Sequence, residues 1–225
     1  MEKMPFQPEF KSLRPQGSPS PRLRPHLSLV RETDWRQQLP LLAGPNVILR
    51  ELRLEDAASL FAMVSTEEVA RFISPPPTTV EGFERFIEWT IRQRREGQYM
   101  CFGIVPRGMT TAIGLFQVRA LDAAFDIGEW GFVMGSEFWG TGIFVEGASL
   151  VVDFVFHSVG IHRLEARASV ANGRGNGALM KLGAVQEGIL RRSFLRRGDY
   201  HDQVLWSLVA DDWHVQRTDF RPGTH

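Results

Sequence analysis

At 225 residues, 43% hydrophobic and 23% charged, the chain carries enough apolar sequence for one sizeable core with an appendage. Its 26 basic and 26 acidic residues cancel, so no global field recruits nucleic acid or an anionic membrane. A single cysteine, Cys101, excludes an intrachain disulfide framework and a cysteine-built metal site, and suits a reducing cytoplasm.

Residues 1–43 stand apart. Pro5, Pro8, Pro15, Pro19, Pro21, Pro25 and Pro40 recur without period among polar, arginine-bearing sequence, which predicts an extended or poorly ordered extension. Leu27, Leu29, Val30 and Trp35 are candidates to dock on the domain, and a basic arm carrying Arg14, Arg22 and Arg24 is the functional alternative. The domain is expected over 44–213, followed by a tail at 214–225. NVILREL (46–52) alternates as a first strand does. Asp56 is expected to cap a short helix with Leu60, Phe61 and Val64 on one face, and Ser65 with Glu68 resembles a capping box for another. After Pro75, Pro76 and Pro77, Thr78 and Glu81 announce a helix carrying Phe83, Phe86, Ile87 and Ile91. Its Arg92, Arg94 and Arg95 read as a solvated face, and Gly97 stops it.

Beyond Gly97 the apolar period becomes two. Strands are expected at about 99–105, 111–119 and 125–134, and the short connections PRGM and LDAA force an antiparallel meander. Gly131 and Gly135 bracket the end of the third strand in this meander, where a bulge or a splayed edge would admit a ligand. EFWGTGIFVEGASLVVDFVF (137–156) then runs from a glycine loop into an apolar helix. Without Cβ atoms at Gly140 and Gly142, the loop amides and the helix's first turn form an anion site suited to phosphate; glycines serving only the turn are the plain alternative. Glu146, Asp153 and His157 interrupt the apolar run, so it reads as a buried helix rather than a membrane span. HRLEARAS (162–169) follows as a strand parallel to the one before the loop. Gly173, Gly175 and Gly177 suggest either close backbone approach or a plain turn ahead of a short helix with Ala178, Leu179 and Leu182, stopped at Gly183. VQEGILR and QVLWSLV supply a last strand pair across a loop rich in Arg191, Arg192, Arg196 and Arg197.

The ordered set NVILREL, EWGFVMGSEFWGTGIFVEG, HRLEARASVANGRGNGALMKLGAVQEGILR and YHDQVLWSLVADDW resembles the RimJ/RimL-type branch of the GNAT N-acetyltransferases over about 44–213. The resemblance implies an α+β acyl-CoA N-acyltransferase fold, with a mostly antiparallel sheet and one parallel pair splayed at the cofactor. It implies acetyl-CoA as co-substrate, with its pyrophosphate on Trp139, Gly140, Thr141, Gly142, Ile143 and Phe144. Its pantetheine arm would lie along Phe132, Val133 and Met134, and Asn172 stands where the family has a cofactor-contacting asparagine. Three positions depart from the family: Phe144 replaces a small residue, Leu179 stands where many members have a tyrosine general acid, and Gly175 replaces a serine. Asn176, beside Gly175, is the expected polar substitute.

Acetyl transfer to an amine requires a held thioester, a base and an oxyanion site. Backbone amides near Val133 and Met134 are the expected oxyanion donors. Glu129 is the expected base, a partly desolvated carboxylate with a raised pKa; the alternative is a glutamate salt-bridged to a neighbouring arginine. Glu146 and Asp126 sit at helix-start and strand-start positions that suit capping. His157, His162 and His201 lack metal-ligand spacing, so no metal is expected. Two other functional classes compete: a dinucleotide-binding oxidoreductase, which the missing third glycine disfavours, and a catalytically weak acyl-CoA-binding or sensing module. The implied acceptor is a primary amine, either a protein N-terminal α-amine or a small amine. The arginine-rich loop at 191–197 reads first as a solvated loop, with an acidic acceptor or a cofactor phosphate as the functional alternative. The expected assembly is a monomer or homodimer without membrane or nucleic-acid partners.

Overall fold

A computed structural model describes residues 34–213; the extension at 1–33, with its arginine arm and the docking of Leu27, Leu29 and Val30, and the tail at 214–225 lie outside the described residues. Eight strands form one sheet: β1 (Leu42–Ala43), β2 (Val47–Glu51), β3 (Tyr99–Pro106), β4 (Gly114–Ala120), β5 (Ile127–Met134), β6 (Arg163–Ser169), β7 (Val185–Arg196) and β8 (Asp199–Val209). Their order is β1-β2-β3-β4-β5-β6-β8-β7. Every neighbouring pair is antiparallel except β5 and β6. The helices are α1 (Ala57–Val64), α2 (Glu67–Ala70), α3 (Val80–Arg95), α4 (Ile143–Phe154) and α5 (Gly173–Lys181).

Strand alternation sends residues to two cores. Leu49, Phe102, Phe116, Val118 and Trp130 join the α4 residues Ala148, Val151 and Val152 and the α5 residue Leu179 in one apolar cluster. Leu52, Tyr99, Cys101 and Leu115 meet the α1 and α3 residues Leu60, Val64, Phe83 and Ile87 in the other. The sheet is therefore covered by α4 and α5 on one face and by α1 and α3 on the other. Among the described residues no helix is long and apolar enough to cross a membrane.

Several local expectations shift. Trp35 and Leu39 are buried and β1 precedes residue 44, so the folded domain starts earlier than expected; Trp35 meets Phe125 edge-on at 5.8 Å. Thr66 caps α2 and Thr79 caps α3, each one residue beyond its expected start. Asp56 does not cap α1. Its buried carboxylate receives both Arg50 guanidinium nitrogens at 2.7 and 2.8 Å, the Arg53 amide at 2.8 Å and the Ala112 amide at 2.9 Å. It thus ties β2, the turn before α1 and the β3–β4 loop together.

Arg94 is not solvated either. At 3% exposure it donates to Glu51 and to the Arg36 carbonyl, tying the end of α3 to β2 and to the segment before β1. The arginine-rich stretch after β6 is strand rather than loop. β7 and β8 form a long hairpin with bulges at Gln186/Gly188 and Leu190/Phe194, and its turn is only Arg197–Gly198. Arg196, beside the tip, donates to the Ala70 carbonyl of α2 at 2.8 Å.

Candidate active site

The loop after β5 is built around a backbone that needs glycine. Gly140 and Gly142 have φ of 80° and 87°, and a Cβ on either would meet nothing within 4 Å, so the conformation demands glycine and the space above it is open. Thr141 turns its hydroxyl back to the Phe138 carbonyl at 2.7 Å, and Trp139 donates its indole N–H to the Met134 carbonyl at 3.0 Å. No side chain caps α4. The first-turn amides of this 12-residue helix, including that of the buried Ile143, and the positive end of its dipole face the loop.

Beside this loop the sheet opens. β5 and β6 pair only at Ile127–Glu129 with Arg163–Glu165, and the rest of β5 is hydrogen-bonded to β4 alone. Leu121 donates to Ile127 and Gly135 to Ile113, so by two-residue alternation the odd-numbered residues between them bond to β4. Phe132 and Met134 therefore turn their backbone groups into the gap, whereas the Val133 amide faces β4. Of the two amides expected at Val133 and Met134, only that of Met134, with that of Phe132, faces the gap. Phe144 packs its ring 4.5 Å from Phe132 and 5.7 Å from Phe116, filling the wedge beneath the start of α4.

The glycine-rich segment is a helix. Asn172 caps α5 by accepting from the Gly175 amide at 2.9 Å, and a Cβ at Gly175 would lie 2.5 Å from the Asn172 amide nitrogen. A side chain at position 175 would therefore have to displace the Asn172 carboxamide from its capping position. Asn176 is not available as its substitute: its amide group donates to Ser169 and Asn172 carbonyls, both at 2.9 Å, and its oxygen accepts from Trp206. Leu179 is core, at 1% exposure. Sequence reasoning missed Arg174, whose guanidinium lies 4.3 Å over the Trp139 ring and adds a cation to the anion loop; a basic residue two positions after a cap offered only a weak signal.

The opposite sheet face is ionic at the same level. Glu129 places Oε2 on the Arg119 guanidinium, at 2.7 Å from Nε, while Oε1 has only a 3.6 Å pairing with Arg167. The row continues through Arg167–Glu165 and Arg163 to Glu187, which the Arg163 guanidinium and the Ser207 hydroxyl hold down to about 2. Glu129 is thus partly buried, its side chain at 19% exposure, but salt-bridged rather than lone. Glu146 serves structure: it receives the Asn46 amide at 2.8 Å, the Asn46 side chain at 2.9 Å and the Val47 amide at 3.1 Å. Burial alone would raise its pKa, but these bonds outweigh it and lower it. The backbone carbonyl of Asp126 receives the His162 amide at 2.9 Å, which sets the start of β6. Among the described residues no group of three His, Cys, Asp or Glu could hold a metal.

An anion loop, a gap between parallel strands and an ionic face behind it suit an extended, phosphate-bearing acyl donor. The GNAT acetyltransferase domain model matches residues 46–185. The probable N-acetyltransferase YjcK of Bacillus subtilis is 32% identical over 184 residues, covering 76% of this chain and 99% of that one. The [ribosomal protein uS5]-alanine N-acetyltransferase of Escherichia coli is 25% identical over 120 residues, covering 53% and 62%. The structure of Mycobacterium smegmatis RimJ in complex with CoA-disulfide superposes with a TM-score of 0.70 at 21% identity, covering 79% of this chain and 94% of that one. With its fold, its loop and these relatives in agreement, the chain belongs to the GNAT family and is an N-acetyltransferase whose co-substrate is acetyl-CoA.

Proposed function

We propose that the enzyme acetylates a primary amine, either a protein N-terminal α-amine or a small amine, by direct attack on the thioester. The observation that carries this reading is the opening of β5 from β6 after Glu129 and Glu165, beside the Trp139–Gly142 loop. In this reading Gly140, Gly142 and the α4 amides hold the pyrophosphate, with Arg174 and Trp139 flanking it. The Phe132 and Met134 amides meet the pantetheine arm and the developing oxyanion. Asn172, at the start of α5 after β6, is the cofactor-contacting asparagine in this reading.

The acceptor approaches from the ionic face. Its nitrogen forms a bond to the acetyl carbon and passes its proton to Glu129 Oε1, the loosely paired oxygen, as the carbon–sulfur bond breaks. A thiol with an ordinary pKa of about 8.5 leaves readily as thiolate, so Leu179 in place of a tyrosine is tolerable. Direct attack is favoured over an acyl-enzyme because Cys101 is buried and its thiol is pushed far up by that burial.

Glu129→Gln is expected to lower kcat/KM by about 10²–10⁴-fold while leaving acetyl-CoA affinity intact. Steady-state kinetics with calorimetric CoA titration measures both, and full activity in this variant would remove Glu129 from the mechanism.

A further inference from the structure

On the face turned away from α4, Gln117 of β4 stands directly across from Gly131 of β5. The Gln117 carboxamide oxygen accepts from the Tyr99 hydroxyl. Tyr99 is buried and set edge-on to Trp89 of α3, with ring centroids 4.9 Å apart. Burial, with a smaller push from Cys101, raises the Tyr99 phenol well above its ordinary value, so the phenol stays protonated and acts as donor. That donation fixes the carboxamide oxygen towards β3 and leaves Nε2 facing β5.

Gly131 keeps this nitrogen accessible. A Cβ at position 131 would lie 3.1 Å from Gln117 Nε2, whereas the glycine leaves the space clear. Glu129 lies on the same face, one side-chain repeat along β5, and is paired across the ladder with Arg119. Same-face neighbours on a strand are roughly 6.5–7 Å apart. A fixed amide donor therefore lies over Gly131, one side-chain repeat from Glu129 and at the level where β5 has parted from β6.

We infer that Gln117 is the acceptor-reading residue: its Nε2 donates to a carbonyl oxygen on the carbon next to the reacting amine, while that amine lies against Glu129. The preferred acceptor class is then an α-aminoacyl group, at a peptide N-terminus or in a free amino acid. A simple alkyl amine or polyamine offers no oxygen to this donor. The inference rests on the acetyl-transfer reading above and assigns Gln117 to substrate choice alone.

The test compares two acceptors, an alanyl tripeptide amide and 1,5-diaminopentane, with acetyl-CoA and the full-length protein. The wild type is expected to favour the peptide. Gln117→Leu is expected to lower kcat/KM for the peptide about tenfold, chiefly through KM, as loss of one hydrogen bond implies, and to leave the diamine rate and CoA affinity unchanged. Tyr99→Phe, which frees the carboxamide without removing it, is expected to give a smaller loss confined to the peptide. Equal losses on both acceptors, no loss on the peptide, or a wild type that prefers the diamine would overturn the assignment while leaving acetyl transfer standing. A wild type that turns over neither acceptor would overturn both.

Discussion

Asp56→Ala is expected to remove about 3–5 kcal/mol of stability, the usual consequence of stripping one partner from a buried ion pair. Asp56 is at 0% exposure, and the variant would leave the Arg50 guanidinium without its counter-charge and the Arg53 and Ala112 amides without their acceptor. A domain typically holds about 5–15 kcal/mol in total, so the variant should be marginal. Urea unfolding followed by circular dichroism measures the difference, and a loss under about 1 kcal/mol would mean that water replaces the carboxylate freely. The pH dependence follows from the same contacts. Burial would raise the Asp56 pKa, but Arg50 and the two amides outweigh it and leave it lowered. Its contribution is whole above the ordinary aspartate value, near 3.9, and disappears as pH falls through the lower folded value. The wild type should therefore lose Tm in that acid window, where the alanine variant changes less.

Gly142→Asp is expected to raise the acetyl-CoA KM at least about tenfold, or roughly 1.4 kcal/mol in binding. Two effects act together. Position 142 has φ of 87°, a left-handed conformation that strains a side-chain-bearing residue by about 1–2 kcal/mol. The carboxylate would also cap the free α4 amides and set a negative charge where phosphates are to bind. Aspartate is a good helix cap, so the fold should survive. Gly142→Ala isolates the strain, and equal KM values for the two variants would show that no anion binds at this loop.

The sheet was legible because strands with period two joined by short connections leave one arrangement, and because a single helical crossover between β5 and β6 makes that pair parallel. The glycine loop was legible for a similar reason: left-handed backbone selects glycine at Gly140 and Gly142. What escaped were roles set by distant partners. Arg94 looks like any arginine near a helix end until Glu51 and the Arg36 carbonyl enclose it. β7 is an edge strand, largely exposed, so it carries arginines where an inner strand would carry apolar residues and reads as loop. Asn176 reads as a free polar group until Trp206, thirty residues on, donates to its carboxamide oxygen and the Ser169 and Asn172 carbonyls accept from its nitrogen. Gln117 carries no local signal at all, since it depends on a tyrosine one strand away and a missing side chain on the next.

The contact between Arg94 and the Arg36 carbonyl also bears on where the chain can be cut. A fragment starting at Gly44, the boundary that composition suggests, would lack that carbonyl, the buried rings and chains of Trp35 and Leu39, and all of β1. β2 would then become the outer strand of the sheet, presenting a row of unpaired backbone groups to any second molecule. The expected failure of such a fragment is edge-to-edge self-association, because Trp35, the Arg36 carbonyl, Leu39 and β1 all belong to the folded domain.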